Sequence, residues 1–264
     1  MKFIKMHGLG NDFILIDSRN EPLEGINLSQ LAVKLCDRNY GIGADGLLIA
    51  SPSTSADVKM RVFNPDGSEA EMCGNGIRCF AKYIYETLEK KKELISVETL
   101  AGVMLPSILE YKGKTAVVEV DMGTPKNIKN EELKIDNIKY NVMLVSFGNP
   151  HCVIFVDDLS KVHIDDIGPK IETNKMFPDR TNVEFVQVAG KKEAIVKVWE
   201  RGAGETLACG TGACASVVAG VTSGKLDKDV LIRLPGGNLD IEWQDDKHVI
   251  LRGPAETVYE GNIK

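Results

Sequence analysis

In the first half of the chain, short extended runs predict strands and two longer-period stretches predict helices. Residues 2–6 and 13–17 are extended runs on either side of the turn-prone Gly8-Leu9-Gly10-Asn11, which predicts an N-terminal hairpin. The first helix is predicted at about residues 28–38. Further strand-like runs follow at residues 47–50, 57–63 and 94–120.

The second predicted helix begins directly after Cys73. Its length is predicted as about three turns, because apolar residues recur at helical spacing at Ile77, Phe80, Ala81, Ile84 and Leu88. The second half of the chain repeats the order of strands and then a helix. Strands are predicted there at residues 140–146, 152–157, 183–188 and 194–199. The closing helix, at about residues 211–223, is apolar almost all round, which predicts a helix wrapped by sheet.

The two halves correspond at a constant offset of 136 residues. This offset relates Phe63 to Trp199, Asn64 to Glu200, Glu69 to Glu205, Cys73 to Cys209, Gly74 to Gly210, Gly76 to Gly212 and Gly46 to Asn182. We therefore predict an α/β (α+β) fold of two duplicated domains, each a curved, mainly antiparallel sheet or barrel around a central helix. The predicted domains are residues 1–114 and 115–254, and a C-terminal strand at about 255–264 is expected to join the first domain.

Composition narrows the class of partner. The chain of 264 residues is 43% hydrophobic and 27% charged, as in an ordinary globular protein with a sizeable core. Its net charge of −6, with scattered basic residues, favours neither nucleic acid nor an anionic membrane as a partner, so we expect a small molecule. Apolar runs near the N-terminus are too short for a signal peptide or a membrane span, and we expect a cytoplasmic protein.

Neither a metal site nor a nucleotide site is predicted. The six cysteines are too dilute for a disulfide scaffold, none form Cys-x-x-Cys, and the four histidines are not spaced near them as ligands. Residues 41–46 match the dinucleotide pattern Gly-x-Gly-x-x-Gly. That pattern requires a strand before it and a helix after it, and here the order is reversed.

The repeated Cys-Gly-x-Gly at each helix start is the strongest candidate for chemistry. Its glycines allow close approach of a ligand to the backbone, and the unpaired N–H groups of the first turn can hold a carboxylate. The same helix end stabilises a thiolate by about 0.3–2 kcal/mol, while burial favours the thiol. From this balance we predict a thiol pKa near neutrality at Cys73 and Cys209.

A matched pair of thiols suits the inversion of a stereocentre. Inversion needs a base on one face of a carbon and an acid on the other, and the two groups exchange roles in the reverse reaction. A nucleophilic hydrolase would instead need one cysteine oriented by a histidine. The duplication therefore favours a cofactor-independent epimerase or racemase, with Cys73 and Cys209 expected on opposite sides of an interdomain cleft.

Several motifs resemble the diaminopimelate epimerase family from end to end. They include His7-Gly8-Leu9-Gly10-Asn11-Asp12-Phe13, Asn64-Pro65-Asp66-Gly67-Ser68, Met72-Cys73-Gly74-Asn75-Gly76-Ile77-Arg78-Cys79, Gly148-Asn149-Pro150-His151, Arg180-Thr181-Asn182-Val183-Glu184-Phe185, Trp199-Glu200-Arg201-Gly202 and Ala208-Cys209-Gly210-Thr211-Gly212. The resemblance implies interconversion of L,L- and meso-diaminopimelate for lysine and peptidoglycan synthesis, by a homodimer without cofactor or metal.

The resemblance also implies a role for each matched residue. Cys73 and Cys209 are expected as the acid–base pair. Expected substrate ligands are Asn11, Asn64, Gly74, Asn75, Asn149, Asn182, Glu200, Arg201, Gly210 and Thr211. His151 is expected as an auxiliary group beside Glu200, near the α-amino group. Some family members carry Gln where this chain has Gly46, which removes one expected contact.

Two other functions compete with this interpretation. A proline or hydroxyproline racemase would share the fold and the thiol pair, but Arg201 and the asparagines favour a substrate with a second zwitterionic end. A thiol redox or binding protein would oxidise and reduce the cysteine pair reversibly.

Asn64 also fits a purely structural role as the first residue of a turn. The remaining cysteines are interpreted as small core residues, namely Cys36, Cys79, Cys152 and Cys214.

Overall fold

A computed structural model describes residues 1–19 and 21–263. The chain divides into two compact units, the first formed by Met1–Val120 with Gly253–Lys264 and the second by Asp121–Arg252. Both units mix helices with a larger number of strands, and the predicted mixed α/β class is confirmed. The predicted division into evolutionary domains after residue 114 stays a prediction.

Unit 1 is a twisted sheet with two helices. Its strands are β1 Lys2–Gly8, β2 Asn11–Asp17, β3 Gly46–Ser51, β4 Val58–Phe63, β5 Glu69–Ala70, β6 Val97–Thr99, β7 Gly102–Met104, β8 Ser107–Lys112 and β9 Thr115–Asp121. Its helices are α1 Leu28–Cys36 and α2 Gly74–Thr87. Most neighbours pair antiparallel, whereas β2 with β3 and β4 with β6 pair parallel.

Unit 2 repeats this architecture. Its strands are β10 Lys126–Ile135, β11 Ile138–Ser146, β12 Pro150–Phe155, β13 Asn182–Gly190, β14 Glu193–Glu200, β15 Gly204–Thr206, β16 Asp229–Leu234 and β17 Gly237–Trp243. Its helices are α3 Ile164–Glu172 and α4 Gly210–Thr222, with a short 3₁₀ turn at Leu159–Lys161. Parallel pairs again interrupt an antiparallel sheet, at β12 with β13 and β14 with β16.

The last strand, β18 Val249–Asn262, has residues in both units. Its first part pairs antiparallel with β17, and its later part pairs antiparallel with β1. In the described residues of each unit the paired strands form an open series, so the barrel offered as an alternative to a curved sheet does not close.

The N-terminal hairpin is confirmed, and it is longer than predicted. Gly8 pairs with Asn11 across a two-residue turn, in which Leu9 and Gly10 both have positive φ. Two positive φ values match the twist of the flanking strands. The tight turn places the side chain of Asn11 at the first position of β2.

Helices α2 and α4 are the core helices of their units. Helix α2 packs against β1, β2, β3, β4 and β8, and α4 packs against β11, β12, β13, β14 and β17. Almost all of α4 is buried, as its uniformly apolar sequence predicts. Helix α2 has about four turns instead of the predicted three, and Leu88 is its C-cap. Each core helix therefore holds its first residue, next to a cysteine, in a fixed position.

Two boundaries differ from the sequence prediction. Helix α1 ends at Cys36 and not near residue 38, because the Asp37 carboxylate accepts hydrogen bonds from the Asn39 and Tyr40 amides and turns the chain. In the region predicted as one strand-like run at 94–120, the structure has four short strands. Within the described ranges, no helix is long and apolar enough to cross a membrane.

Gly168 fixes the packing of α3 on β14, and its substitution tests that contact. A Cβ at Gly168 would lie 2.7 Å from Cγ and Cδ2 of the Trp199 indole. We expect Gly168→Ala to lower the free energy of unfolding by about 1–3 kcal/mol, because overpacking a rigid ring outweighs the gain in helix propensity. Urea titration followed by tryptophan emission measures this change. Gly190→Ala, where a Cβ meets nothing within 4 Å, is the control; equal stability of both variants would contradict the prediction.

Candidate active site

Cys73 and Cys209 are the N-caps of α2 and α4. Both have extended backbone conformations, with φ and ψ of −139° and 119° for Cys73 and −121° and 116° for Cys209. Each sulfur accepts a hydrogen bond from the backbone N–H three residues later, Gly76 or Gly212, at 3.4 Å. The sequence thus positions the two sulfurs in the same way, at the positive end of a helix dipole.

The first turn of each helix presents backbone N–H groups beside the sulfur. Gly74 and Gly210 begin the helices, and their N–H groups have no partner within the helix because no turn precedes them. Such an end can hold a carboxylate next to a thiol. The local geometry therefore suits a group that binds one anion and exchanges one proton.

In unit 1 a chain of hydrogen bonds joins the candidate ligands. The Asn75 amide Nδ2 donates to Asn11 Oδ1 at 3.1 Å, and Asn11 Nδ2 donates to Asp45 Oδ2 at 2.9 Å. Arg78, fully buried, donates from Nη2 to Asn75 Oδ1 at 2.9 Å and from Nη1 to the Gly74 carbonyl at 2.9 Å. Asn11 is thereby connected to the first turn of α2, which Cys73 caps.

A cluster of ion pairs contacts the Asp45 end of this series of hydrogen bonds. Lys5 Nζ lies 2.6 Å from Asp12 Oδ2, and Arg38 Nη2 lies 2.8 Å from Asp12 Oδ1 and 2.7 Å from Asp45 Oδ1. Burial alone would raise the pKa of Asp12, but hydrogen bonds from Arg38 and Lys5 outweigh it and lower that pKa to about 2. Asp12 is therefore ionised at neutral pH and anchors Arg38, which in turn orients Asp45 against Asn11.

Two positions in unit 1 have mainly structural contacts. The exposed Asn64 donates from Nδ2 to Ser68 Oγ at 2.9 Å, which is the turn role that its sequence context also allows. A Cβ at Gly46 would lie 3.2 Å from the Phe13 ring and from the Phe63 carbonyl. A larger residue at Gly46 would therefore require Phe13 to shift.

In unit 2 the hydrogen-bond chain starts at the sulfur. Cys209 Sγ lies 3.5 Å from Thr211 Oγ1, to which Asn149 Nδ2 donates at 3.1 Å. Asn149 Oδ1 lies 3.2 Å from His151 Nε2, and His151 Nδ1 lies 2.7 Å from Glu184 Oε1. Asn149, His151 and Thr211, all expected from the sequence, are thus brought together with Cys209.

The half-buried Glu200 and the buried Cys209 both lie in surroundings that favour their neutral forms. Burial raises the pKa of Glu200, opposed by hydrogen bonds from Thr206 and from Cys209. Burial also raises the pKa of Cys209 well above its usual range, and the carboxylates of Glu200 and Glu184 raise it further. The prediction of a near-neutral pKa was wrong for Cys209, because desolvation exceeds what the helix end contributes.

Arg201 and Asn182 form a second group in unit 2. Asn182 Oδ1 accepts from the Arg201 backbone N–H at 3.0 Å, and Asn182 Nδ2 donates to the Pro150 carbonyl at 2.9 Å. The exposed Arg201 guanidinium donates from Nη1 to the Asp179 carbonyl at 3.2 Å and lines a cavity of about 710 Å³ that His151 also lines. Several guanidinium N–H groups therefore stay available for an anion.

The other cysteines are buried and carry no disulfide. Burial raises the pKa of Cys36 to about 11 and that of Cys79 to about 12, and it raises the pKa of Cys152 strongly. These values fit inert core thiols. Over residues 1–19 and 21–263, no cluster of three or more His, Cys, Asp or Glu side chains could hold a metal ion.

Sequence reasoning assigned no role to Arg78 or Glu184, although both stand inside motifs that it quoted. For Glu184, comparison of the two repeated halves could have indicated a special role. At the offset of 136 residues its partner is Leu48, so a carboxylate replaces a core leucine in one half only. Arg78 gave no comparable signal, because helical spacing alone does not say that a charged side chain is fully buried.

Solved structures with the same fold have distant sequences. A phenazine biosynthesis protein of the PhzF family from Bacillus anthracis aligns over 100% of this chain and 99% of its own, with a TM-score of 0.77 and 16% identity. A probable proline racemase from Agrobacterium radiobacter, solved with bound carbonate, aligns over 100% of this chain and 92% of its own, with a TM-score of 0.73 and 14% identity. At these identities the likeness concerns the fold alone.

Comparison with sequences is more specific. The family model for diaminopimelate epimerase matches residues 3–128 and 143–258, one segment for most of each half. The diaminopimelate epimerase of Pelotomaculum thermopropionicum is 54% identical over 99% of this chain and 98% of its own. That of Halothermothrix orenii is 49% identical over 100% and 98%. Because the match runs from end to end, the chain belongs to the diaminopimelate epimerase family.

Proposed function

We propose that this isomerase interconverts L,L- and meso-diaminopimelate by proton transfer between two thiols, in the formation of precursors for lysine and peptidoglycan. The observation that carries the proposal is the pair of cysteine-capped helices, built alike in the two halves of a chain that belongs to this family. One thiolate removes the α-proton and the opposite thiol delivers a proton to the same carbon. Reversal of the reaction exchanges the roles.

The resting proton is proposed to lie on Cys209. Burial and two neighbouring carboxylates hold its pKa well above the usual range, so the thiol form dominates at neutral pH. Cys209 is then ready to donate a proton when Cys73 acts as base. The Thr211 hydroxyl and the Gly212 N–H lie against the sulfur and stabilise the thiolate that forms.

The remaining residues are proposed to bind the two ends of the substrate. The backbone N–H groups at the first turns of the two helices, those of Gly74, Asn75, Gly210 and Thr211, suit the carboxylate at the reacting carbon, which gains negative charge in the transition state. Arg201 suits the distal carboxylate, because a guanidinium binds a carboxylate with two hydrogen bonds. Asn11, Asn64, Asn149, Asn182 and Glu200 are proposed to complete the recognition of the polar groups. The homodimer stays a prediction from the family, and the cytoplasmic location stays a prediction from the sequence.

Incubation of the reduced protein with L,L-diaminopimelate in heavy water, without added cofactor, tests the reaction. We expect formation of the meso isomer with one deuterium incorporated per inversion, since solvent protons reach the carbon only through the enzyme thiols. Deuterium at the α-carbon is followed by NMR. Exchange of proline but not of diaminopimelate would contradict the proposed substrate.

Substitution of either thiol tests its place in catalysis. We expect Cys73→Ala and Cys209→Ala each to lower kcat at least about a hundredfold, because each removes one of the two proton-transfer groups. Rates of meso formation under reducing conditions provide the measurement. Cys36→Ala and Cys214→Ala, which remove buried thiols of the same two units, are matched controls with expected wild-type rates. Turnover retained by either catalytic variant would contradict the assignment.

The raised pKa of Cys209 predicts a pH dependence of its reactivity. Only the thiolate is alkylated, so a thiol with a raised pKa reacts slowly at neutral pH and faster as the pH rises. We expect iodoacetamide at pH 7.5 to label Cys73, which is half-buried, before Cys209, and Cys209 labelling to rise steadily above pH 9. Mass spectrometry of the two peptides measures both rates. Faster labelling of Cys209 at pH 7.5 would show that its pKa is not raised.

Arg201 is tested by a substitution that keeps its charge. We expect Arg201→Lys to lower kcat/KM about tenfold or more, chiefly through KM, because lysine cannot form the paired hydrogen bonds of a guanidinium. Initial rates over a range of diaminopimelate concentrations separate the two parameters. Arg233→Lys, at an exposed arginine paired with Glu193, is the control. An unchanged KM in Arg201→Lys would exclude Arg201 from substrate binding.

A further inference from the structure

Glu184 lies directly beneath the first turn of α4. Its side chain is fully buried, and Oε1 is 2.7 Å from His151 Nδ1. A Cβ at Gly212 would lie 2.7 Å from the same Oε1, so the glycine leaves the space that this carboxylate fills. Gly212 also donates its N–H to Cys209 Sγ. The Glu184 carboxylate therefore contacts the turn that caps the thiol.

The burial of Glu184 is energetically unfavourable. Its second oxygen, Oε2, is buried and has no hydrogen-bond partner among the residues that the structure describes. Buried carboxylates with an unmet oxygen destabilise a fold, and replacement of a buried polar pair by apolar residues is often neutral or stabilising. A stability role therefore does not account for Glu184.

Unit 1 shows that the architecture does not need this pair. Strand β13 pairs Glu184 with Val198, and in the same register of unit 1 strand β3 pairs Leu48 with Val62. His151 pairs with Asn182 where Phe13 pairs with Gly46. A buried phenylalanine and leucine thus occupy the two positions in unit 1. The same sheet and helix form with apolar residues there, so the His151–Glu184 pair serves something other than the fold.

The hydrogen bonds that link Thr211, Asn149, His151 and Glu184 leave one proton that His151 and Glu184 share. Because Asn149 Nδ2 donates to Thr211, Asn149 Oδ1 is the acceptor that faces His151, and His151 Nε2 must carry a hydrogen. One proton then lies between Nδ1 and Glu184 Oε1. On Nδ1 it gives an imidazolium and a carboxylate, and on Oε1 it gives a neutral imidazole and a carboxylic acid. In both cases the pair is neutral overall. The hydrogen bonds from His151 through Asn149 to Thr211 also keep the same donor-to-acceptor direction.

We propose that Glu184 is a positioning residue for proton transfer at Cys209, which it serves by sharing one proton with His151 and so fixing the direction of the hydrogen bonds through Asn149 to Thr211. The Thr211 oxygen accepts from Asn149, so its own hydrogen is directed to Cys209 Sγ. That hydrogen bond stabilises the thiolate left after proton donation. The inference rests on the proposed function, but its central contact is measurable without turnover.

Two substitutions separate the hydrogen bond from the charge. Glu184→Leu imports the residue of unit 1 and removes both, whereas Glu184→Gln can donate to Nδ1 and keeps the direction of the chain without the charge. We expect Glu184→Leu to lower kcat about tenfold to a hundredfold, with little change in KM, because Thr211 and Cys209 lose their fixed orientation. Glu184→Gln is expected to retain most of kcat.

Nitrogen NMR of the histidine rings measures the tautomer of His151, which depends directly on its hydrogen bond to Glu184. The chain has four histidines, and the His151 signals are those lost in His151→Phe. We expect wild type and Glu184→Gln to show a protonated Nε2, and Glu184→Leu to show a mixture of tautomers. Asp17→Asn, which changes a half-buried carboxylate hydrogen-bonded to Arg19 and Tyr83 in unit 1, is the matched control with unchanged His151 signals.

The outcomes are distinct. Wild-type kcat and wild-type His151 signals in Glu184→Leu would overturn the proposal. Equal losses of kcat in the leucine and glutamine variants would also overturn it, because positioning through the hydrogen bond predicts recovery with glutamine. If the wild type failed to convert diaminopimelate, the proposed function would fall. The NMR comparison and the alkylation rate of Cys209 in the variants would still test the contact.

Discussion

The sulfurs of Cys73 and Cys209 each occupy the position at which a helix begins, and each accepts a hydrogen bond from the N–H group three residues later. This cap places a thiol, the backbone N–H groups of the first turn and the positive end of a helix dipole within one turn. It also requires small residues, because a Cβ at Gly212 would meet Glu184 at 2.7 Å and one at Gly76 would meet Leu48 at 3.3 Å. The burial of α2 and α4 in their sheets keeps the two caps rigid.

The same cap has different surroundings in the two units. On the helix that Cys73 caps, Asn75 is hydrogen-bonded to Asn11 and to the buried Arg78, a set of amides and a cation. Near Cys209 the neighbours are Thr211 and the carboxylates of Glu200 and Glu184, which raise the pKa of the thiol. A duplicated backbone therefore does not imply duplicated electrostatics. The backbone repeat supplies the two proposed proton-transfer positions, and the unrepeated side chains favour the thiol form at Cys209.

Sequence predicted the framework well because the framework depends on local patterns. The hairpin at Gly8 and Asn11, the strands and both cysteine-capped helices follow from period, turn residues and the 136-residue repeat. The pKa of Cys209 could not be predicted in the same way. It depends on desolvation and on Glu184, which is 25 residues from Cys209 in the chain and reaches it only through the pairing of β12, β13 and β14. Arg78 was missed for the same reason, since its partner Pro254 is distant in sequence.

Unequal thiols are compatible with a reversible reaction. The equilibrium between the two stereoisomers is a property of the substrate, and an enzyme changes only the barriers and the populations of its own protonation states. A high pKa at Cys209 selects the free-enzyme form in which this thiol carries the proton. In the proposed reaction Cys73 gains a proton and Cys209 loses one, and the enzyme must then return to its resting form by exchange with solvent. The buried His151–Glu184 pair lies in unit 2, as Cys209 does, so the unit that contains this unrepeated pair is also the one whose thiol is proposed to hold the resting proton.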